Sequence, residues 1–312
     1  MRFSQILSRT PSPARPTPPN LPRAALTPRR LKPAEVYGLA VRQARAVVAS
    51  LRSKPARLPD LDAVCQAVDS VILGLKEFPS GILAYTERST ADDYLPGHLA
   101  NVCILALAAA SKMDLPAENQ RALGVGALLH DAAGPSLDPK ERLALLGNFL
   151  NSMEPSSRAV VENILLQREE QEAKLVQLCH DYETQSHPGP SHSRRLSHDV
   201  LRALIERAGE NYDGNLLKKL WDTLSLFPPG SFVRLSSGEI ARVLEISEAH
   251  PIKPRVQAVA GPAGERVREE KILDLSQPGA ASIEAAVDEC AVKLQDPSLQ
   301  LELKAQKWWM DS

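Results

Sequence analysis

Two stretches decide the fold: His98-Leu-Ala-Asn101-Val-Cys-Ile-Leu-Ala-Leu107-Ala-Ala-Ala110 and Leu123-Gly-Val-Gly-Ala-Leu-Leu-His130-Asp131. Neither carries a Lys, Arg, Asp or Glu before Asp131, so neither has a polar face to turn to water. The first run is Ala-rich and too long for an ordinary buried strand, which predicts a buried helix over 98–112. The second predicts a buried helix over 117–129. Met113-Asp-Leu-Pro116 between them stops one helix and starts the next. Two antiparallel helices joined by a short turn bring the start of the first near the end of the second. His98 is therefore expected to face His130-Asp131 at one end of the bundle. Neutral imidazoles and a carboxylate are good ligands for a divalent ion of the Zn, Fe or Mn type.

The pattern spreads helically in both directions. Apolar residues recur near a 3.6 period over 35–51 and 61–75, and Pro79-Ser-Gly81 interrupts them. Residues 139–151, 157–186, 197–207 and 214–226 read as four more helices. After Phe227-Pro-Pro-Gly230 the pattern shortens. Residues 231–235, 239–246, 255–260 and 267–275 read as strands split by Ser236-Ser-Gly238 and Gly261-Pro-Ala-Gly264. Residues 283–294 read as a last amphipathic helix. The expected fold is mainly α, a helical bundle with a small C-terminal β appendage. Its expected divisions are an arm (1–33), an N-terminal helical region (34–90), the helical domain with the His-Asp pair (91–226), a small β subdomain (227–276), and a C-terminal helix and tail (277–312).

The 312 residues have a net charge of −1, and hydrophobic residues make up 43%. That suffices for a proper core and excludes a wholly disordered chain. It also argues against DNA as a partner of the whole molecule. The charge is uneven: residues 1–34 hold seven basic residues, no acidic ones and eight of the 25 prolines. This arm reads as solvated, with P-x-x-P-like spacing (Pro13 to Pro16, Pro16 to Pro19) that could dock a protein partner. No secretory signal or membrane span is expected, and the four widely spaced cysteines (Cys65, Cys103, Cys179, Cys290) read as reduced thiols. A cytoplasmic protein is the expectation. The histidines His187, His192 and His198 read as a solvated loop, Arg194-Arg195 as a surface pair, and Glu169, Glu170 and Glu172 as a charged helix face. Trp308-Trp309 is expected to dock on the body of the chain or of a dimer.

His98-Leu-Ala-Asn101-Val102 followed by Leu123 to His130-Asp131, and downstream Leu226-Phe-Pro-Pro-Gly-Ser-Phe-Val-Arg-Leu-Ser-Ser-Gly-Glu239, resemble the HD-GYP branch of the HD phosphohydrolase superfamily. The resemblance covers roughly residues 60 to 275. It implies an all-α, metal-dependent domain that hydrolyses the cyclic dinucleotide cyclic di-GMP. Departures accompany it. Where the family continues with a Gly-Lys pair, this chain has Ala132-Ala-Gly-Pro135. Residues 139–160 contain no histidine for the family's His-Pro motif. Val161 to Gln171 reads straight through as helix, without the paired histidines or the Gly-Tyr-Pro loop. In Leu178-Cys-His180-Asp181-Tyr-Glu-Thr184 the family register places His180 where a ligand Asp is usual.

The metal set implied is His98, His130, Asp131 and His180, with Asp181 as an outer partner. Four ligands suffice for one divalent ion, Zn, Fe or Mn, but not for a two-metal clamp. Asp131 is the best catalytic candidate. Three readings stay open. One is a degenerate signalling module, impaired or inactive toward cyclic di-GMP, that binds a nucleotide or forms a homodimer. Another is an active one-metal phosphohydrolase for another phosphoester. The third is a structural interaction protein using the arm and the terminal tryptophans.

Overall fold

A computed structural model of the chain describes residues 31–87, 94–134, 136–188, 193–289 and 291–305. Residues 1–30 of the arm, His192, Cys290 and Trp308-Trp309 lie outside them; Pro33, expected to end the arm, instead opens the first helix. In chain order the helices are α1 (Pro33–Arg52), α2 (Leu61–Glu77), α3 (Pro79–Thr86), α4 (Tyr94–Ala110), α5 (Ala117–Leu129), α6 (Pro139–Asn151), α7 (Pro155–Leu165), α8 (Gln171–Ser186), α9 (Ser197–Glu206) and α10 (Gly214–Leu224). The strands β1 (Phe232–Leu235), β2 (Ile240–Glu245), β3 (Arg255–Ala260), β4 (Arg266–Asp274) and β5 (Ile283–Val287) follow, then α11 (Pro297–Ala305). The architecture is the expected helical bundle with a small β appendage.

Local chemistry sets the boundaries. Pro33, Pro79, Pro139 and Pro155 each open a helix, where a missing N–H costs nothing. The carboxylates of Asp60, Asp138 and Asp213 accept from first-turn amides at 2.8–3.1 Å. The apolar α4 is buried from Pro96 to Ala110 and forms the centre of the bundle, with α1, α5, α8 and α10 packed around it. Its alanines let neighbours come close, and Gly124 does the same from α5. A Cβ at Gly124 would lie 2.6 Å from Val68 Cγ1, inside van der Waals contact.

Besides the short helix α3, which opens where Pro79-Ser-Gly81 reads as a break, two elements differ from the reading of the sequence. Residues 157–186 are two helices, not one. Gln167 takes the left-handed conformation (φ 53°), and the amides of Gln167 and Arg168 bond back to Ile164 O and Asn163 O at 3.1 and 3.0 Å. This is a Schellman stop made by glutamine instead of glycine. The chain reverses there, so α8 runs back along both α7 and α4. The second difference is at 283–287, which is a strand. It pairs antiparallel with the free edge of β1 and completes a sheet of order β4-β3-β2-β1-β5. An open edge offers a row of backbone bonds that one amphipathic turn cannot match. The terminal helix begins later, at Pro297, and covers one sheet face with Leu299 and Leu303 against Phe232, Ile240 and Ala260.

Two contacts among the described residues tie the sheet closely to the bundle. Arg194, expected at the surface, is mostly buried and donates to Asp288 at 2.7 Å and to Glu289 at 2.9 Å beyond β5. Gly230, before β1, has φ 89°, and a Cβ there would lie 2.7 Å from Ala84 O of α3. Gly230→Ala should therefore cost about 2–3 kcal/mol, from left-handed strain plus a backbone clash. Urea unfolding measures it, and a loss under ~0.5 kcal/mol would mean the junction relaxes freely.

Candidate metal centre

His98 lies in the first turns of α4, His130 and Asp131 follow the last residue of α5, and His180 is in the middle of α8. The reversal after α7 delivers His180 to the other two. One ligand atom from each of the four lies within 4.8 Å of every other. His98 Nε2 is 3.3 Å from His130 Nε2, and His130 Nε2 is 3.1 Å from His180 Nδ1. Asp131 Oδ2 is 3.7 Å from both His130 Nε2 and His180 Nδ1. A tetrahedral ion with metal–nitrogen bonds of about 2.0–2.1 Å needs ligand atoms about 3.3 Å apart. The four separations of 3.1–3.7 Å lie close to that value.

The outer contacts decide which nitrogens face inward. His130 Nδ1 donates to Ala127 O at 2.7 Å, since a carbonyl can only accept. Its Nε2 is therefore a lone pair. His98 Nδ1 bonds the Glu183 carboxylate, whose other oxygen accepts from Asn101 Nδ2 at 3.1 Å. Asn101 in turn accepts from Tyr37 OH of α1 at 2.9 Å. His98 Nε2 is thus turned toward the His130 lone pair, an arrangement stable only with a proton or a cation between them.

The electrostatics agree. Burial alone lowers the His98 imidazole, but the Glu183 charge and hydrogen bond hold it above the ordinary histidine value. Burial pushes His130 down to about 3, against the pull of Asp131. Burial, helped by His98, also lowers His180. Glu183, only 1% exposed, would be raised by burial, yet His98 and His187 bring it to about 2. His130 and His180 are therefore neutral at pH 7 and ready to ligate. The His180 side chain, 26% exposed, marks the side open to solvent.

Asp181 does not serve the centre. It accepts from Gln177 Nε2 at 2.9 Å and Tyr212 OH at 3.0 Å, and lines a separate cavity of about 500 Å³ that none of the four residues lines. Adjacent residues on a helix point about 100° apart, so His180 inward sends Asp181 outward. Glu183, three residues on from His180, shares its face, and that spacing was the available signal. His187 is buried at the end of α8, against the expectation of a solvated loop. Its Nδ1 donates to Glu183 O at 3.0 Å. His198 stacks on Phe227, with ring centroids 5.1 Å apart. Arg142 is a further residue missed in the sequence. It is a buried cation whose Nη2 lies 3.1 Å from Asp131 Oδ1.

With this geometry in hand, residues 232–295 match the family described as a KOW domain associated with HD domain. The chain is also 24% identical over 275 residues to a Pseudomonas aeruginosa protein named as a cyclic di-GMP phosphodiesterase. These findings support an HD-type domain. The match spans 77% of this chain and 66% of the relative, just under two thirds of its length. No solved structure gives a significant match. In the HD-type domain, the sheet that carries the KOW match follows directly on α10, and β5 lies within the matched range. No described helix is long and apolar enough to cross a membrane.

Proposed function

We propose that this chain is an HD-GYP-like signalling module, built around one divalent ion and impaired or inactive toward cyclic di-GMP. The observation that carries it is the donor set: three imidazoles and one carboxylate oxygen converge on a single point, while the second oxygen of Asp131 faces Arg142. Bound there, an ion would polarise a phosphoester and acidify a water.

The chain's own residues do the rest. His98, His130, His180 and Asp131 hold the ion. Glu183 and Ala127 O fix which nitrogens His98 and His130 present. The open edge at His180 admits the ligand. The donor set fits Zn, Fe or Mn, and its imidazole content favours Zn. The relative's name supports a cyclic dinucleotide as the ligand class. The short turn after α7 supports loss of turnover, because Leu166 to Glu170 leaves no room for the family's loop between α7 and α8.

The test is titration of the zinc-loaded chain with cyclic di-GMP by calorimetry, with chromatography of the same mixture after hours. Binding without linear dinucleotide or GMP is the expected result. Product formed by the wild type and abolished in Asp131→Ala would overturn the inactive reading. Hydrolysis of bis-p-nitrophenyl phosphate alone would favour an active phosphohydrolase for another ester.

A further inference from the structure

Arg142 has no place in the family resemblance, and its surroundings are unusual. The buried face of α6 consists of Arg142, Leu146, Phe149 and Leu150, so one guanidinium sits in a row of core positions. Its side chain is 3% exposed. Nη2 alone is engaged, with Asp131 Oδ1 at 3.1 Å and Leu137 O at 3.2 Å. Nε and Nη1 are buried without a hydrogen-bond partner among the described residues. A purely structural buried arginine has its donors paired, because an unpaired buried donor is destabilising. Two orphaned donor atoms on one guanidinium point to an acceptor that arrives from outside.

The neighbouring carboxylate says where. Asp131 Oδ2 faces His130 and His180, and Oδ1 faces Arg142, so one carboxylate spans the ion position and the guanidinium. In two-metal sites two cations a few ångströms apart share the charge of a phosphoryl group. Here an organic cation stands in the second position. The charges fit an anion as well. Asp131 and Glu183 together balance a divalent ion, and Arg142 leaves the centre one positive charge over. A guanidinium fork is suited to phosphate oxygens, whereas an ammonium acts only as a point charge.

We infer that Arg142 is the second cation of this centre and receives a phosphate oxygen of the ligand on its unpaired Nε, beside the single metal ion. This rests on the one-metal reading above, and the experiment separates the two. Wild type, Arg142→Gln and Arg142→Lys are analysed for zinc and titrated with inorganic phosphate by calorimetry, with and without zinc. All three should hold about one zinc per chain. Arg142→Gln should bind phosphate at least ~10-fold more weakly, and Arg142→Lys should recover part of the loss. In the ¹⁵N-labelled wild type, phosphate should shift the Nε–H signal that Arg142→Lys lacks. This measurement needs no variant to fold well beyond assignment. Equal phosphate affinity in wild type and Arg142→Gln, no phosphate binding by wild type, or an unmoved Nε–H signal would each overturn the inference. Absence of zinc in all three would sink the one-metal reading, while the titrations without zinc still decide the role of Arg142.

Discussion

Alanine at His130 or at Asp131 should empty the metal centre. His130 Nε2 is the hub of the cluster, within 3.3 Å of His98 and 3.1 Å of His180. Without it, the ion loses the donor nearest to both His98 and His180. Outer partners of a metal ligand typically cost 10–100-fold in affinity when lost, so removal of an inner ligand should cost at least about 100-fold. Elemental analysis after dialysis should find about one ion per wild-type chain and less than roughly a tenth of that in His130→Ala. Asp131→Ala should do the same and also lose stability, because Arg142 then stays buried without its counter-charge. Asp131→Asn serves as control, since it keeps the volume and one acceptor. Undiminished metal in both alanine variants would place the ion elsewhere.

The second large effect is expected at Glu183. This carboxylate serves His98 Nδ1 and Asn101 Nδ2, and lies 3.5 Å from His187 Nδ1. Glu183→Ala removes the buried acceptor of His98 Nδ1 and Asn101 Nδ2, which should cost about 3–5 kcal/mol. For a chain of this size that corresponds to roughly 10 °C in melting temperature. The pH dependence has a defined sign. Glu183 falls from 4.5 to about 2 on folding, so its contribution is complete above pH 4.5 and is lost as pH falls through about 2. The gap between wild type and Glu183→Gln should be widest between pH 4.5 and the ordinary histidine value, narrow above it as His98, held up by Glu183, loses its proton, and close in strong acid. Circular dichroism melts at several pH values measure it. Equal melting temperatures at pH 7 would show that the pair contributes nothing.

What the sequence made legible follows from what its patterns encode. An uninterrupted apolar run such as 98–110 has only one place to go, so α4 and α5 could be read directly, and with them the meeting of His98 and His130-Asp131. The stop at Gln167 could not be read, because a left-handed glutamine leaves no glycine to mark it. The strand at 283–287 was hidden for another reason. Five residues suit a helix turn or a strand equally, and the free edge of β1 decides between them. Glu183 and Arg142 left only faint signals, since a charge is buried only when its partners arrive from other helices. A lone arginine spaced with Leu146, Phe149 and Leu150 along α6 is a pattern that could have raised the question.

The three imidazoles belong to helices whose contributing residues stand 32 and 50 positions apart in the chain. An ion shared by them would be a crosslink, closing two long loops as a disulfide does but without needing an oxidising compartment. Free ion at about 100 times its dissociation constant would add roughly 2.7 kcal/mol to the folded state. The lifetime of the folded chain would then track the supply of that ion, and the centre would report metal availability through the persistence of the protein as well as through its chemistry.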